Sequence, residues 1–246
     1  MEGGLEKYYD VYGTMTDCHG NLRLSALLYM AQDAAGEHCK ELSVDWDTMN
    51  QKQMFWAVIR HRVQITRLPR EGEKIQVQTW PMPTTRVAFP RSTVAYDEKG
   101  RELFRSISLW VIMDKNTRGM ILPAKSGIMV PGVEFGNELP APRALAPQGL
   151  SSHETRQVRY IDLDRNGHMN NTRYLDWVAD LLPAKFYGAR QPKEVVICYN
   201  QEAREGQEIH LQWELSGNGE LTVDGHRTEE NGERIFSAQV TFDSFM

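Results

Sequence analysis

The chain has 246 residues, 41% hydrophobic and 25% charged, with a formal net charge of −5. Those proportions are typical of a globular protein, and the length fits one large domain or two of about 120 residues each. The acidic balance gives no general nucleic-acid footprint, and no apolar run approaches the roughly 20 residues that cross a bilayer.

In chain order, the opening Met1-Glu2-Gly3-Gly4-Leu5-Glu6 has no basic region leading into an apolar core, so no signal peptide is expected. Residues 7–16 read as a strand and Asp17-Cys18-His19-Gly20-Asn21 as a turn. Residues 25–39 read as a helix with a broad apolar arc of Ala26, Leu27, Leu28, Tyr29, Met30, Ala31, Ala34 and Ala35. Alternation predicts a strand over 55–65, through Trp56, Val58, Val63 and Ile65. After the turn Arg70-Glu71-Gly72-Glu73, strands are expected over 74–80, 86–96 and 102–113, the last two joined at Asp97-Glu98-Lys99-Gly100. Residues 131–150 hold Pro131, Pro140, Pro142 and Pro147 and show no periodicity, which predicts a linker.

Residues 151–246 then repeat residues 1–130. Asp17, Gly20, Ser25, Leu28 and Asp33 align with Asp164, Gly167, Thr172, Leu175 and Asp180 at one constant offset. Arg70-Glu71-Gly72-Glu73-Lys74-Ile75 matches Arg204-Glu205-Gly206-Gln207-Glu208-Ile209 at a smaller offset, as a shorter helix-to-strand connection would give. Strands over 195–199, 208–215, 220–226 and 234–242 complete the second copy. The predicted fold class is α+β, a tandem (double) hot-dog fold in which each helix is wrapped by a curved antiparallel sheet.

The stretch from Asp162 to Trp177 draws most attention. Asn166-Gly167 is a turn dipeptide, and the segment beyond it reads as a helix whose arc of Tyr174, Leu175, Trp177, Val178, Ala179, Leu181 and Leu182 is too wide for a surface helix. Asp, Asn, Gly and Thr here are also ordinary capping residues. The repeat separates the two meanings. Asn166 and His168 face His19 and Asn21, and Glu202 faces Leu68. A structural motif should recur in both copies, whereas a chemical one need recur in only one.

Asp164-Arg165-Asn166-Gly167-His168-Met169-Asn170-Asn171 resembles the D-x-N-x-H-x-N-N motif of the plant and bacterial acyl-[acyl carrier protein] thioesterases. Ser108-Leu109-Trp110-Val111-Ile112-Met113-Asp114-Lys115-Asn116-Thr117-Arg118 resembles the same family's S-x-W-V-x-x-(N/D)-x-x-T-R segment, and Phe55-Trp56-Ala57-Val58 the strand after its first helix. The resemblance spans most of the chain. It implies catalytic positions at Asp164, Asn166, His168 and Glu202, with a carboxylate activating water, His168 and Asn166 orienting water or thioester, and backbone N–H groups polarising the carbonyl. Whether Asp164 or Glu202 is the base stays open, as does direct carboxylate attack through an anhydride. A cysteine nucleophile directly after the glutamate is excluded because Ala203 stands there; Cys198 reads as a small core residue.

The N-terminal copy is then expected to bind the acyl chain, with Met49, Met54, Phe55 and Trp56 as wall residues, although each equally suits ordinary packing. Arg60, Arg62, Arg67 and Arg70 form a candidate docking patch for acyl carrier protein, with Arg86 and Arg91 nearby in sequence. Cys18, Cys39 and Cys198 are odd in number and form no C-x-x-C pair, which fits a reducing cytoplasm and neither a disulfide framework nor a cysteine zinc site. No metal or cofactor is expected, and the phosphate-loop, dinucleotide-binding, serine-hydrolase and zincin motifs are absent from the sequence. The expected activity is therefore release of free fatty acid from acyl carrier protein by a bacterial, cytoplasmic enzyme, monomeric or homodimeric. The alternatives are an acyl-CoA thioesterase of the same fold and a non-catalytic acyl-binding protein.

Overall fold

The computed structural model describes residues 3–134, 139–147, 149–228 and 232–243. Contacts within the chain divide it into two units, Met1–Leu22 with Ala26–Pro142, and Arg23–Ser25 with Arg143–Met246. Each sets a helix against an antiparallel sheet, the α+β hot-dog arrangement read from the sequence.

The N-terminal unit runs β1 (Leu5–Asp10), α1 (Leu24–Glu41), α2 (Trp46–Gln51), β2 (Met54–Ile65), β3 (Lys74–Pro81), β4 (Phe89–Asp97), β5 (Glu102–Asp114), β6 (Met120–Ile121) and α3 (Pro123–Ser126). Its sheet order is β1-β3-β4-β5-β2, with β6 paired to β5. Helix α1 buries Leu24, Leu27, Leu28, Ala31, Ala34, Ala35 and His38 at the three- and four-residue spacing of a single face, and Met30 widens that face. Full burial of a leucine contributes roughly 2 kcal/mol, so Leu27 and Leu28 alone anchor the helix firmly. Strand β2 shifts register between Val58 and Arg60. Trp56 and Val58 before the shift therefore share a face with His61, Val63 and Ile65 after it.

The C-terminal unit repeats this with β7 (Ser152–Gln157), α4 (Arg173–Ala179), α5 (Ala184–Ala189), β8 (Pro192–Tyr199), β9 (Glu208–Leu215), β10 (Glu220–Arg227) and β11 (Arg234–Phe242). Its order, β7-β9-β10-β11-β8, is that of β1-β3-β4-β5-β2. Helix α4 meets the sheet through aromatic edges, with Tyr174 lying 4.8 Å from Phe236 and 5.5 Å from Tyr199 between ring centroids. Gly225 makes room for this packing, because a Cβ there would stand 2.3 Å from the Phe236 ring.

The structure departs from the sequence reading in several places, among them the short elements β6, α3 and α5 and the start of β4 at Phe89 instead of Arg86. The first strand ends at Asp10 instead of Thr16, and Gly13–Met15 forms a 3-10 turn. The turn is closed by bonds from Met15 and Thr16 N–H groups to the Tyr12 and Gly13 carbonyls. Helix α2 was not expected, although Asp45 is a recognisable N-cap that accepts from the Thr48 N–H at 3.2 Å. Helix α4 is short. Beyond Ala179 the chain tightens into three-residue bonds at Leu181 and Leu182, because Pro183 lacks an N–H and disfavours helix at the residue before it. Finally, the proline-rich stretch after 131 belongs to the N-terminal unit as far as Pro142 and to the C-terminal unit from Arg143. The Val133 N–H donates to the Pro81 carbonyl at 2.9 Å, and Leu139 is buried.

Two histidines sit inside the N-terminal unit. Burial, aided for His38 by the neighbouring Arg91 charge, lowers the His38 pKa from 6.5 to about 4, and burial alone lowers His61 to about 4. Between these values and 6.5 the unfolded chain binds more protons than the folded one, so stability is fully present above the unfolded value and is lost as pH falls toward 4. Urea unfolding of the wild type is expected to weaken through this window, and His61→Leu is expected to flatten the slope. An equally steep slope in that variant would show that His61 is not buried in its neutral form.

Candidate functional site

The site begins with a turn. In the C-terminal unit Asp164 Oδ1 accepts backbone N–H bonds from Asn166 at 2.7 Å and His168 at 3.3 Å. The Asp164 N–H donates to the His168 carbonyl at 2.8 Å, and the Gly167 N–H to the Asp164 carbonyl at 3.1 Å. Gly167 supplies the left-handed residue this closure needs, at φ +74°. The N-terminal unit builds the same turn. Asp17 Oδ1 accepts from His19 at 2.8 Å and Asn21 at 3.0 Å, and Gly20 has φ +75°. Asp164 is thus first a turn anchor, as its counterpart is.

The turn does not lead straight into the helix. Met169–Thr172 intervene, where Asn170 Oδ1 accepts from both the backbone N–H and the hydroxyl of Thr172 at 2.9 Å. Beyond Asp164 the chain therefore forms a small zipper. Leu163 bridges Met169, His168 bridges Arg204, and the Met169 N–H donates to the Ala203 carbonyl at 2.8 Å. This stitching carries the segment after β8 alongside the turn, and His168 Nε2 comes within 3.2 Å of Glu202 Oε2. The His168 side chain is 13% exposed and that of Glu202 36% exposed, so the pair can reach a water molecule or a substrate. Asn166 is exposed, and its Nδ2 donates to Asp164 Oδ2 at 3.3 Å. All four candidate residues belong to one short region of one unit.

Two further residues belong to this site. Arg227 Nη2 donates to the Glu202 carbonyl at 2.9 Å and fixes the backbone that presents the carboxylate. Tyr174 is buried, and its phenol pKa is raised by burial and by the nearby charges of Glu202 and Asp164, so it remains a hydrogen-bond donor. Tyr174 reads in the sequence as part of an apolar arc. Arg227 gives no sequence signal, because only the pairing of β10 brings it there. Cys198 is buried, with its thiol donating to the Arg143 carbonyl at 3.6 Å.

In the N-terminal unit Met49, Met54 and Trp56 meet in one apolar cluster with Val44, Phe89, Ile112 and Ile128. Phe55 does not join them. Strand alternation turns it to the other face of β2, where its ring lies 4.7 Å from the Arg118 guanidinium. The arginine patch also divides. Arg67 pairs with Glu73 at 2.8 Å and Asp97 at 3.5 Å. Arg60 and Arg62 donate to the Pro142 and Pro140 carbonyls at 3.4 Å, while Arg70 is exposed. Among the described residues no three His, Cys, Asp or Glu side chains are arranged to hold a metal, and no helix is long and apolar enough to cross a membrane.

Residues 4–123 match the family model described as the acyl-ACP thioesterase N-terminal domain, and residues 146–244 the one described as the C-terminal domain. The sequence is 24% identical over 195 residues to an acyl-[acyl-carrier-protein] hydrolase of Cuphea viscosissima, covering 74% of this chain and 47% of that protein. It is 21% identical over 202 residues to an oleoyl-acyl carrier protein thioesterase of Arabidopsis thaliana, covering 74% and 55%. Both relatives are named as chloroplastic. The chain thus spans about half the length of the curated relatives it matches. Among solved structures, an acyl-ACP thioesterase from Bacteroides thetaiotaomicron superposes with a TM-score of 0.89 at 23% identity, covering 98% of both chains. A 12:0-ACP thioesterase from Umbellularia californica gives 0.83 at 19% identity, covering 98% and 97%. At these identities the likeness establishes the fold.

The shared turn makes a direct test. Asp17→Ala and Asp164→Ala each remove bonds to a charged acceptor, worth roughly 1–3 kcal/mol, so both variants are expected to unfold at lower temperature. An unchanged midpoint in either would show that its carboxylate does not anchor the turn.

Proposed function

The chain belongs to the acyl-ACP thioesterase family, both of whose domain models it matches, and from that membership we propose that it hydrolyses the thioester joining an acyl chain to acyl carrier protein and releases the free fatty acid. The observation that carries this reading is the His168–Glu202 contact at 3.2 Å. Its counterparts in the other repeat are Asn21 and Leu68, both buried and incapable of proton transfer.

In the proposed reaction Glu202 is the general base. A water oxygen attacks the carbonyl carbon while its proton passes to Glu202. The tetrahedral intermediate collapses, the carbon–sulfur bond breaks, and Glu202 returns the proton to the departing sulfur. A carboxylic acid and the carrier's thiol remain. His168 donates from Nε2 to hold Glu202 in register, and the Asn166 amide orients water or the developing oxyanion. Asp164 keeps the turn closed, a role supported by the identical bonds at Asp17.

The N-terminal repeat is assigned the acyl chain, supported by the cluster of Met49, Met54 and Trp56. For carrier docking Arg70 is the best placed of the four arginines, since it is exposed while Arg60, Arg62 and Arg67 are engaged within their own unit. A cytoplasmic location is supported by three free cysteines.

Glu202→Gln is expected to lower kcat on acyl carrier protein substrates by about a hundred- to ten-thousand-fold, with His168→Ala falling in the same direction. A near wild-type rate in folded Glu202→Gln would remove it as the base. The carrier is tested separately by kcat/KM on matched acyl-carrier-protein and acyl-CoA thioesters. Higher efficiency on the carrier protein is expected, and a clear CoA preference would overturn that assignment.

A further inference from the structure

The helix-facing side of the N-terminal sheet is not apolar throughout. The pairing His61↔Ser108↔Arg91 runs straight across β2, β5 and β4, so the three side chains stand in one row on one face. Arg91 reaches His38 Nδ1 at 3.2 Å, the Thr79 hydroxyl at 3.4 Å and Cys39 Sγ at 4.0 Å. Arg91 is 7% exposed, His38 4% and His61 5%. Among the described residues Arg91 has no carboxylate partner, and His61 Nε2 has no hydrogen-bond partner. A buried cation without a counter-charge and an unmade hydrogen bond are both costly.

The other repeat provides an internal control. Aligning Ile75 with Ile209 and following the strand pairings puts Arg91 opposite Leu221 in the repeat, Ser108 opposite Val240, His61 opposite Val195 and Thr79 opposite Trp213. Leu221, Val240 and Val195 are all buried. The fold therefore fills these positions with ordinary apolar side chains where nothing else is required of them. The polar row also abuts the apolar cluster. Phe89 precedes Arg91 on the same face of β4, Cys39 packs on the cluster, and Trp110, also packed there, donates to the Ser108 hydroxyl at 2.8 Å.

We propose that this row is a polar subsite for the acyl chain, selecting chains that carry an acceptor oxygen (hydroxyl, oxo or carboxylate) part-way along or at the far end. The proposal rests on the assignment of the acyl chain to the N-terminal repeat. Arg91 and His61 donate to the oxygen, while Met49, Met54 and Trp56 contact the hydrocarbon beside it. The guanidinium gains an oxygen acceptor from the chain in addition to His38, Thr79 and Cys39.

The test uses the full chain and acyl-carrier-protein substrates of equal length. The chains are unsubstituted, hydroxylated or oxo-substituted at successive positions, or carboxylate-terminated. Wild type is expected to favour at least one oxygenated chain over the plain chain by about ten-fold or more in kcat/KM, the scale of one charge-assisted hydrogen bond. Arg91→Met and the repeat-swapped combination Arg91→Leu, Ser108→Val, His61→Val are expected to bring that ratio toward one. A carboxylate optimum identifies an anionic chain, and a hydroxyl or oxo optimum a neutral one. A wild type that turns over the plain chain at least as well as every oxygenated chain overturns the proposal, whatever the variants do. If no thioester is hydrolysed, the thioesterase reading fails, and calorimetric binding of acyl-pantetheine amides decides this one independently. Tighter binding of an oxygenated amide supports it, and equal binding overturns it.

Discussion

The candidate site depends on one small constraint, a carboxylate that accepts the N–H groups of its own turn. With Asp164 Oδ1 bonded to Asn166 and His168, the chain folds back on itself and leaves the far side of the turn free to zip onto the segment after β8. The Met169 to Ala203 bond and the His168–Arg204 bridge then bring Glu202 to His168, although more than thirty residues of sequence separate the two. Backbone groups do this work. The contact between the His168 and Glu202 side chains is thus set by backbone pairing on either side of it, the kind of support a pre-organised site needs.

The same constraint in the other repeat shows what the frame demands and what it leaves open. Asp17 closes an identical turn, and Asn21 bridges Arg70 where His168 bridges Arg204. Yet Asn21 and Leu68 are buried at the places of His168 and Glu202. One backbone thus carries either a polar pair open to solvent or a closed, inert corner. Sequence change at two positions, with no change of pairing, is enough to separate them.

Much of this was legible in the sequence, for identifiable reasons. The strands were visible because half-buried strands alternate, and Arg234–Phe242 and Glu208–Leu215 end where the pattern ends. The repeat exposed the scaffold residues Asp164 and Gly167, since both recur. Other features depend on neighbours that sequence does not reveal. The register shift in β2 moves His61 onto the helix-facing side, and no local pattern announces it. Phe55 was grouped with Met54 and Trp56 by adjacency, but adjacent residues in a strand point to opposite faces. Arg67 resembled a docking residue until Asp97, thirty residues away, proved to be its partner.

The two repeats also place their polar groups in opposite parts of the same frame. The C-terminal copy has an apolar sheet face, with Leu221, Val240 and Val195 buried in line, and concentrates its polar chemistry at the turn. The N-terminal copy closes its turn with Asn21 and Leu68 and opens its sheet face to Arg91, Ser108 and His61. Burying a guanidinium and an imidazole in the middle of a sheet opposes folding, and hydrophobic residues are accommodated at the equivalent places. A cost borne in one copy and avoided in its twin is better explained by what the protein binds than by how it folds. The His168–Glu202 pair, present in one repeat and replaced by Asn21 and Leu68 in the other, has the same asymmetry.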